Sequence, residues 1–149
     1  MERPTLVILM GIPASGKSSF YRRYLADRFV RVNLDTLKTR ARERQLVEDC
    51  IRQGKSFAVD NTNPTRADRA RYIGPAKAAG YRVVGYFMQS RIADCVARNR
   101  LRTGKERIPD TAVAAIANRL EFPARGEGFD ALYFVSPEKD EMRIEVWRE

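Results

Sequence analysis

The sequence predicts a three-layer α/β fold, with helices on both faces of a mostly parallel, five-stranded sheet. Three features predict it. Short β-rich apolar runs alternate with longer stretches of helical period. The first run, Thr5–Met10 (TLVILM), is apolar almost throughout, as expected of a strand buried on both faces. The chain of 149 residues carries no repeat and no linker-like stretch, so one domain is expected over residues 1–149.

The elements follow in order. After the first strand comes a glycine-bearing loop, then a helix over 17–26 with Phe20 and Tyr24 one turn apart. Residues 29–34 form the second strand, with Val30 and Val32 on one face. A helix over 36–53 carries Val47 and Ile51 at i, i+4 and ends at Gly54. Residues 56–60 (SFAVD) form the third strand. Residues 65–79 read as a helix that Pro75 is expected to kink or split and Gly80 to stop. Arg82–Met88 is the fourth strand. A helix over 92–101 runs into the basic stretch 102–107. Residues 110–122 form a further helix, with Val113, Ile116, Ala117 and Leu120 at i, i+3, i+4, i+7. Residues 131–135 complete the five strands, and 143–147 form a short terminal strand.

Composition narrows the function classes. Lys and Arg number 28 against 19 Asp and Glu, a formal charge of +9 that favours a polyanionic partner. Histidine is absent, which excludes Ser-His-Asp triads, Cys-His dyads and His-ligated zinc. Cys50 and Cys95 lie far apart without metal-ligand spacing, so two buried free thiols in a reducing, cytoplasmic compartment are expected. No apolar run approaches the roughly 18 residues of a membrane span, and the N-terminus enters a strand directly, so neither membrane nor signal peptide is expected.

The strongest local signal is Gly11-Ile-Pro-Ala-Ser-Gly16-Lys17-Ser18, which fits G-x-x-x-x-G-K-[ST] between a strand and a helix. Glycine at both ends lets successive N–H groups converge on an anion, and the helix adds the positive end of its dipole. Lys17 reaches the β- and γ-phosphates and Ser18 offers a hydroxyl to Mg²⁺. The nucleotide contacts expected here are Gly11, Ala14, Ser15, Gly16, Lys17, Ser18 and Ser19. The motif implies a P-loop fold and ATP with Mg²⁺, but not a reaction. No guanine-specifying NKxD is present, and the chain lacks the length of an ATP motor; a compact P-loop kinase fold remains.

Two acids sit at strand ends, where ligands gather in open α/β sheets. Asp35 follows the second strand and Asp60 closes the third, in Asp60-Asn-Thr-Asn-Pro64. One facing the γ-phosphate can accept a hydroxyl proton; one near Ser18 can hold Mg²⁺, the role assigned to Asp60. The plainer alternatives are a helix cap for Asp35 and a turn acid for Asp60. In Arg98-Asn-Arg100-Leu-Arg102, Arg98 and Arg102 share a helix face before a glycine. A mobile lid delivering cations to the transferred phosphoryl group fits this pattern; a solvated basic helix end is the alternative.

These segments together resemble the polynucleotide 5′-hydroxyl kinases, both the kinase domain of metazoan polynucleotide kinase/phosphatase and bacteriophage polynucleotide kinase. The resemblance runs through GIPASGKSSF (11–20), VNLDTL (32–37), GKSFAVDNTNPTRADRARYI (54–73), AAGY (78–81), RNRLR (98–102) and EFPARGEGFD (121–130). It implies that Asp35 is the general base for the 5′-hydroxyl. Arg102 is then the lid arginine on the donor phosphates, with Arg98 beside it. Asn61 and Thr62 lie where the acceptor's terminal nucleotide is held. Lys38 stands where the phage enzyme grips the acceptor phosphate with arginine, keeping the charge without the bidentate fork. Residues 121–128 are implied as an adenine-side loop. The relatives also carry a phosphatase domain, so the expectation is a stand-alone kinase, with a separate 3′-phosphatase or ligase as partner. Nucleic acid 5′-OH ends, DNA or RNA, are the implied acceptor. A P-loop kinase of a sugar, antibiotic or nucleotide-sugar hydroxyl, resembling the zeta toxins, is the alternative; a binding module with a relic P-loop is the third reading.

Overall fold

The computed structural model describes residues 3–149; the first two residues of the expected domain lie outside the described residues. Its centre is a sheet of six strands in the order β2-β3-β1-β4-β5-β6. The strands are β1 (Thr5–Met10), β2 (Val30–Val32), β3 (Phe57–Asp60), β4 (Arg82–Met88), β5 (Ala131–Glu138) and β6 (Glu141–Val146). The first five run parallel, and β6 pairs antiparallel with β5. Five strands were expected; the sixth completes the sheet through a tight turn at 139–140, where Lys139 has φ 49°. Ser136-Pro-Glu-Lys-Asp reads as loop in sequence. Ser136, Pro137 and Glu138 nonetheless pair with the returning strand, which covers the edge of β5.

The helices are α1 (Lys17–Phe20), α2 (Leu34–Leu37), α3 (Arg40–Gln53), α4 (Arg66–Ala78), α5 (Ile92–Arg100) and α6 (Asp110–Arg119). A π-helical turn, Tyr21–Leu25, continues α1. The single helix expected over 36–53 is two. Asn33 caps α2 through its side chain, Lys38 ends it at φ 76°, and Thr39 caps α3 by accepting from the Arg42 N–H. Because Asn33 serves as a cap, β2 stops one residue before it. The expected break at Pro75 is absent: α4 runs unbroken from a Thr65–Asp68 capping box. Pro75 and Arg71 both lie on its solvent side, so water can take up the carbonyl that proline leaves unbonded.

Three apolar clusters fill the layers. Leu6, Ile8 and Met10 point to α3 and α4, meeting Val47, Tyr72, Ile73 and Ala76. Val7 and Leu9 point the other way, to Phe20, Tyr21 and Leu25. Ile12 and Ala14 of the glycine-bearing loop pack with Cys95 of α5 and Val113 of α6. That last cluster docks the arginine-bearing helices on the loop itself. Both cysteines are free and buried. Among the described residues, no helix is long and apolar enough to cross a membrane.

Candidate active site

The phosphate loop joins β1 to α1 as its motif requires. Gly11 (φ 153°), Ala14 (φ 65°) and Gly16 (φ 101°) take positive φ values and turn the loop's backbone around one concavity. A Cβ at Gly11 would lie 2.5 Å from Ser15 Oγ, so glycine is required there by space as well as by angle. Lys17 is buried, and its ammonium donates to the carbonyls of Gly11 (2.9 Å) and Ile12 (3.0 Å). Burial lowers its pKa from 10.5 to about 8, against the pull of Asp60 and with help from Arg102.

The expected metal pair meets. Ser18 Oγ donates to Asp60 Oδ2 at 3.0 Å, and the Asp60 side chain is only 1% exposed. Both are hard oxygen donors, and a magnesium site takes few protein ligands, its remaining positions going to phosphate and water; these residues fit such an ion. Asp60 is no turn acid: its carboxylate reaches back under the phosphate loop. Unforeseen is Arg31, whose Nε (2.9 Å) and Nη2 (2.7 Å) bind the same Asp60 oxygen and whose Nη2 also donates to Ser18 Oγ (3.0 Å). The alternation of Val30 and Val32 into one face puts Arg31 on the other, and that signal could have found it.

Asp35 sits in the first turn of α2, exposed and lining the cleft. Asn33 provides the cap instead, accepting from the Thr36 N–H, so the capping reading of Asp35 falls away. The turn is braced from below. Asn33 Nδ2 donates to the Asp60 carbonyl (2.6 Å), and Asn61 Oδ1 accepts from the Leu34 N–H (2.9 Å). Asn61 Nδ2 donates in turn to Glu43 (3.0 Å), a carboxylate 2% exposed that also accepts from Tyr72 OH (2.7 Å) and Arg40 (2.8 Å). Asn61 lines the cleft, yet its amide is engaged in holding α2. Lys38 is exposed and lies off the cleft wall.

The Asp-Asn-Thr-Asn-Pro loop is welded to its surroundings. The Thr62 carbonyl accepts from the Gly11 N–H (3.1 Å), and Asn63 Nδ2 donates to the Leu9 carbonyl (2.7 Å). Arg69, wholly buried, donates to the Asn63 and Glu121 carbonyls and forks onto Glu127. Residues 121–128 thus pack on α4; the hairpin residue Met142, not this loop, lies beside Gly16. Arg98 donates to the Ala14 carbonyl (3.0 Å) and braces the phosphate loop, whereas Arg102 lines the cleft and lies close enough to Lys17 to depress its pKa. Ser19 lines the cleft next to Arg22.

These groups share one cleft of about 790 Å³, running from the phosphate loop past Asp35. Seven cationic side chains line it against four carboxylates.

Residues 39–123 match the AAA domain family. The chain belongs to that family. The match begins beyond the phosphate loop, so the loop's motif is evidence additional to it. A bifunctional polynucleotide phosphatase/kinase of Schizosaccharomyces pombe is 28% identical over 134 residues, 86% of this chain and 32% of that protein. A mimivirus protein (Acanthamoeba polyphaga mimivirus), named a bifunctional polynucleotide phosphatase/kinase, is 38% identical over 81 residues, 54% of this chain and 19% of its own. The chain therefore spans a third or less of these relatives' length. Among solved structures, Chaetomium thermophilum Kti12 in complex with ADP-AlF3 superposes with a TM-score of 0.72 at 17% identity, over 91% of each chain. That likeness shows the fold alone, an α/β P-loop fold around a mostly parallel sheet.

Proposed function

We propose that this AAA domain chain is an ATP-dependent polynucleotide 5′-hydroxyl kinase, transferring the γ-phosphate of ATP to the 5′-OH end of DNA or RNA. The observation that carries the reading is the continuous cleft from the phosphate loop to Asp35, lined by Lys17 and six arginines. The named phosphatase/kinase relatives support the same acceptor class.

In this reading Lys17 holds the β- and γ-phosphates and Arg102 meets charge developing on the transferred group. Asp35 accepts the hydroxyl proton as the new O–P bond forms and the bond to the ADP oxygen breaks. Ser18 and Asp60 are the residues that would hold Mg²⁺, which when bound neutralises phosphate charge. Asn61 shapes the Asp35 turn, Thr62 faces the acceptor, and Lys38 is assigned to the acceptor's outer path. Gly11, Ala14, Ser15, Gly16 and Ser19 form the nucleotide cradle, with Arg98 behind it.

The test is transfer from labelled ATP to 5′-OH DNA and RNA oligonucleotides, with 5′-phosphorylated oligonucleotides as blocked controls. Label on the 5′-OH strands alone is expected. Equal labelling of the blocked controls, or turnover only with a small alcohol, overturns the reading.

A further inference from the structure

Arg31 has no role in the reading so far, yet it is the most thoroughly built-in of the cleft's arginines. Parallel pairing of β2 with β3 sets Arg31 opposite Ala58. Ala58 and Asp60 lie two apart on one strand, so Arg31 and Asp60 project to the same face of the sheet. Tyr21 supports the guanidinium from the π-helical turn, its ring centroid 5.8 Å from Arg31 Cζ. The Tyr21 hydroxyl is itself fixed by donation to the Phe29 carbonyl (2.6 Å). A π-turn in this place follows a general pattern, since such turns concentrate at functional sites.

The contacts converge on one atom. Asp60 Oδ2 takes the bonds from both Arg31 nitrogens and from Ser18 Oγ, while Ser18 Oγ accepts from Arg31 Nη2. A carboxylate this buried is costly without a cation. Arg31 supplies one, from a side chain 32% exposed that also borders the open cleft.

We propose that Arg31 is the resident counter-cation of the Ser18–Asp60 pair, releasing both oxygens to Mg²⁺ and thereby setting how strongly nucleotide recruits the metal ion. This rests on the nucleotide-and-metal half of the functional reading and is independent of the acceptor. The reason is electrostatic. A guanidinium and a divalent ion cannot both crowd one carboxylate oxygen without strong like-charge repulsion. The bonds Arg31 makes to Asp60 and Ser18 are therefore charged against metal uptake. Its exposure toward the cleft gives the side chain somewhere to go.

The experiment measures binding of a fluorescent ADP to wild type, Arg31→Met and Arg31→Lys, each with Mg²⁺ and with EDTA. Thermal melting is recorded with Mg²⁺ or EDTA, each with and without ADP. The factor by which Mg²⁺ tightens ADP binding should rise about tenfold or more in Arg31→Met, the worth of a hydrogen bond to a charged group. Metal-free Arg31→Met should melt below wild type, with Mg²⁺ and ADP together closing most of that gap. Arg31→Lys, which keeps the charge without the fork, should fall between the two and keeps the test open if the Met variant does not fold. An equal or smaller Mg²⁺ factor in the variants overturns the role of Arg31 while leaving nucleotide binding intact. A wild type that binds no nucleotide overturns the functional reading itself.

Discussion

Asp35 projects from the first turn of a four-residue helix whose cap and supports are other residues, so nothing local to the fold depends on its carboxylate. Asp35→Asn should therefore melt with wild type and bind ADP equally, while single-turnover transfer falls by about 10²–10⁴, the range of a general base. An unchanged rate would move the base elsewhere, with Asp60 next in reach. Lys17 gives a pH signature. Desolvation leaves it with a pKa of about 8, and phosphate binding favours the charged form. ADP affinity should be level below that pH and then fall by up to about tenfold per unit above it, a slope that Lys17→Met removes. Protein stability responds with the opposite sign. The unfolded lysine holds its proton up to its ordinary pKa, so folding gains as pH rises from about 8 toward 10.5. At this scale the sequence pointed to Lys17, Ser18, Asp35 and Asp60, which the fold gathers along one cleft, because each lies in the phosphate-loop motif or at the end of an expected strand. It concealed Glu43 and Arg31. Glu43 looks like any polar helix residue, and only tertiary packing places it beneath Asn61 and Tyr72. Arg31 was legible through strand alternation alone, and its partner lies on a different strand.

Strands and helices were easier to read than their ends. The four central strands follow from continuous apolar runs, and α4 and α6 from helical spacing. What failed did so for local reasons: a positive φ at Lys38 split one helix, a tight turn at Lys139 hid a strand pairing, and Pro75 sat where solvent made it harmless. Two of the segments that carried the resemblance, 54–73 and 121–130, brace each other. Arg69, Asn63, Glu121 and Glu127 tie the Asp60–Pro64 loop to α4, which keeps Thr62 bonded to the phosphate loop. The arginine-bearing element is different. Cys95 and Val113 anchor α5 and α6 against Ile12 and Ala14, and Arg98 grips the Ala14 carbonyl. Arg102, one helical turn on, reaches the Glu106 carbonyl and, among the described residues, otherwise borders only the cleft. Arg102→Ala should accordingly leave melting and acceptor KM close to wild type and lower kcat by about two decades or more, since arginines in this role act on the transition state. The same change at Arg143, paired with Glu145 on β6, should have little effect. Wild-type kcat in Arg102→Ala would return this segment to a solvated basic helix end.

Across the whole molecule, a formal charge of +9 could serve solubility alone, but the cleft concentrates it. In the proposed reading Lys17 and Arg102 serve the phosphoryl donor. Arg22, Arg40, Arg71 and Arg119 also line the wall; Arg40 is paired with Glu43 and Arg119 faces Asp68, so of these four Arg22 and Arg71 are, among the described residues, the cations without a carboxylate partner. A polyanionic acceptor would release counterions on entering such a cleft, and each neutralised phosphate of a single strand contributes about −0.7 to the slope of log affinity against log salt. Engagement of two to three acceptor phosphates predicts a slope of about −1.4 to −2.1 for the reciprocal of oligonucleotide KM. A small uncharged alcohol would release no counterions and should show a slope near zero. The two readings of the acceptor thus separate in one measurement, KM against potassium chloride at saturating ATP. Saturation keeps the donor phosphates, which respond to salt on their own account, out of the slope. Shortening the oligonucleotide until the slope shallows would then count the phosphates the cleft holds. A flat dependence for every oligonucleotide, alongside measurable turnover, would leave the arginines as solvated charge and favour the small-molecule acceptor.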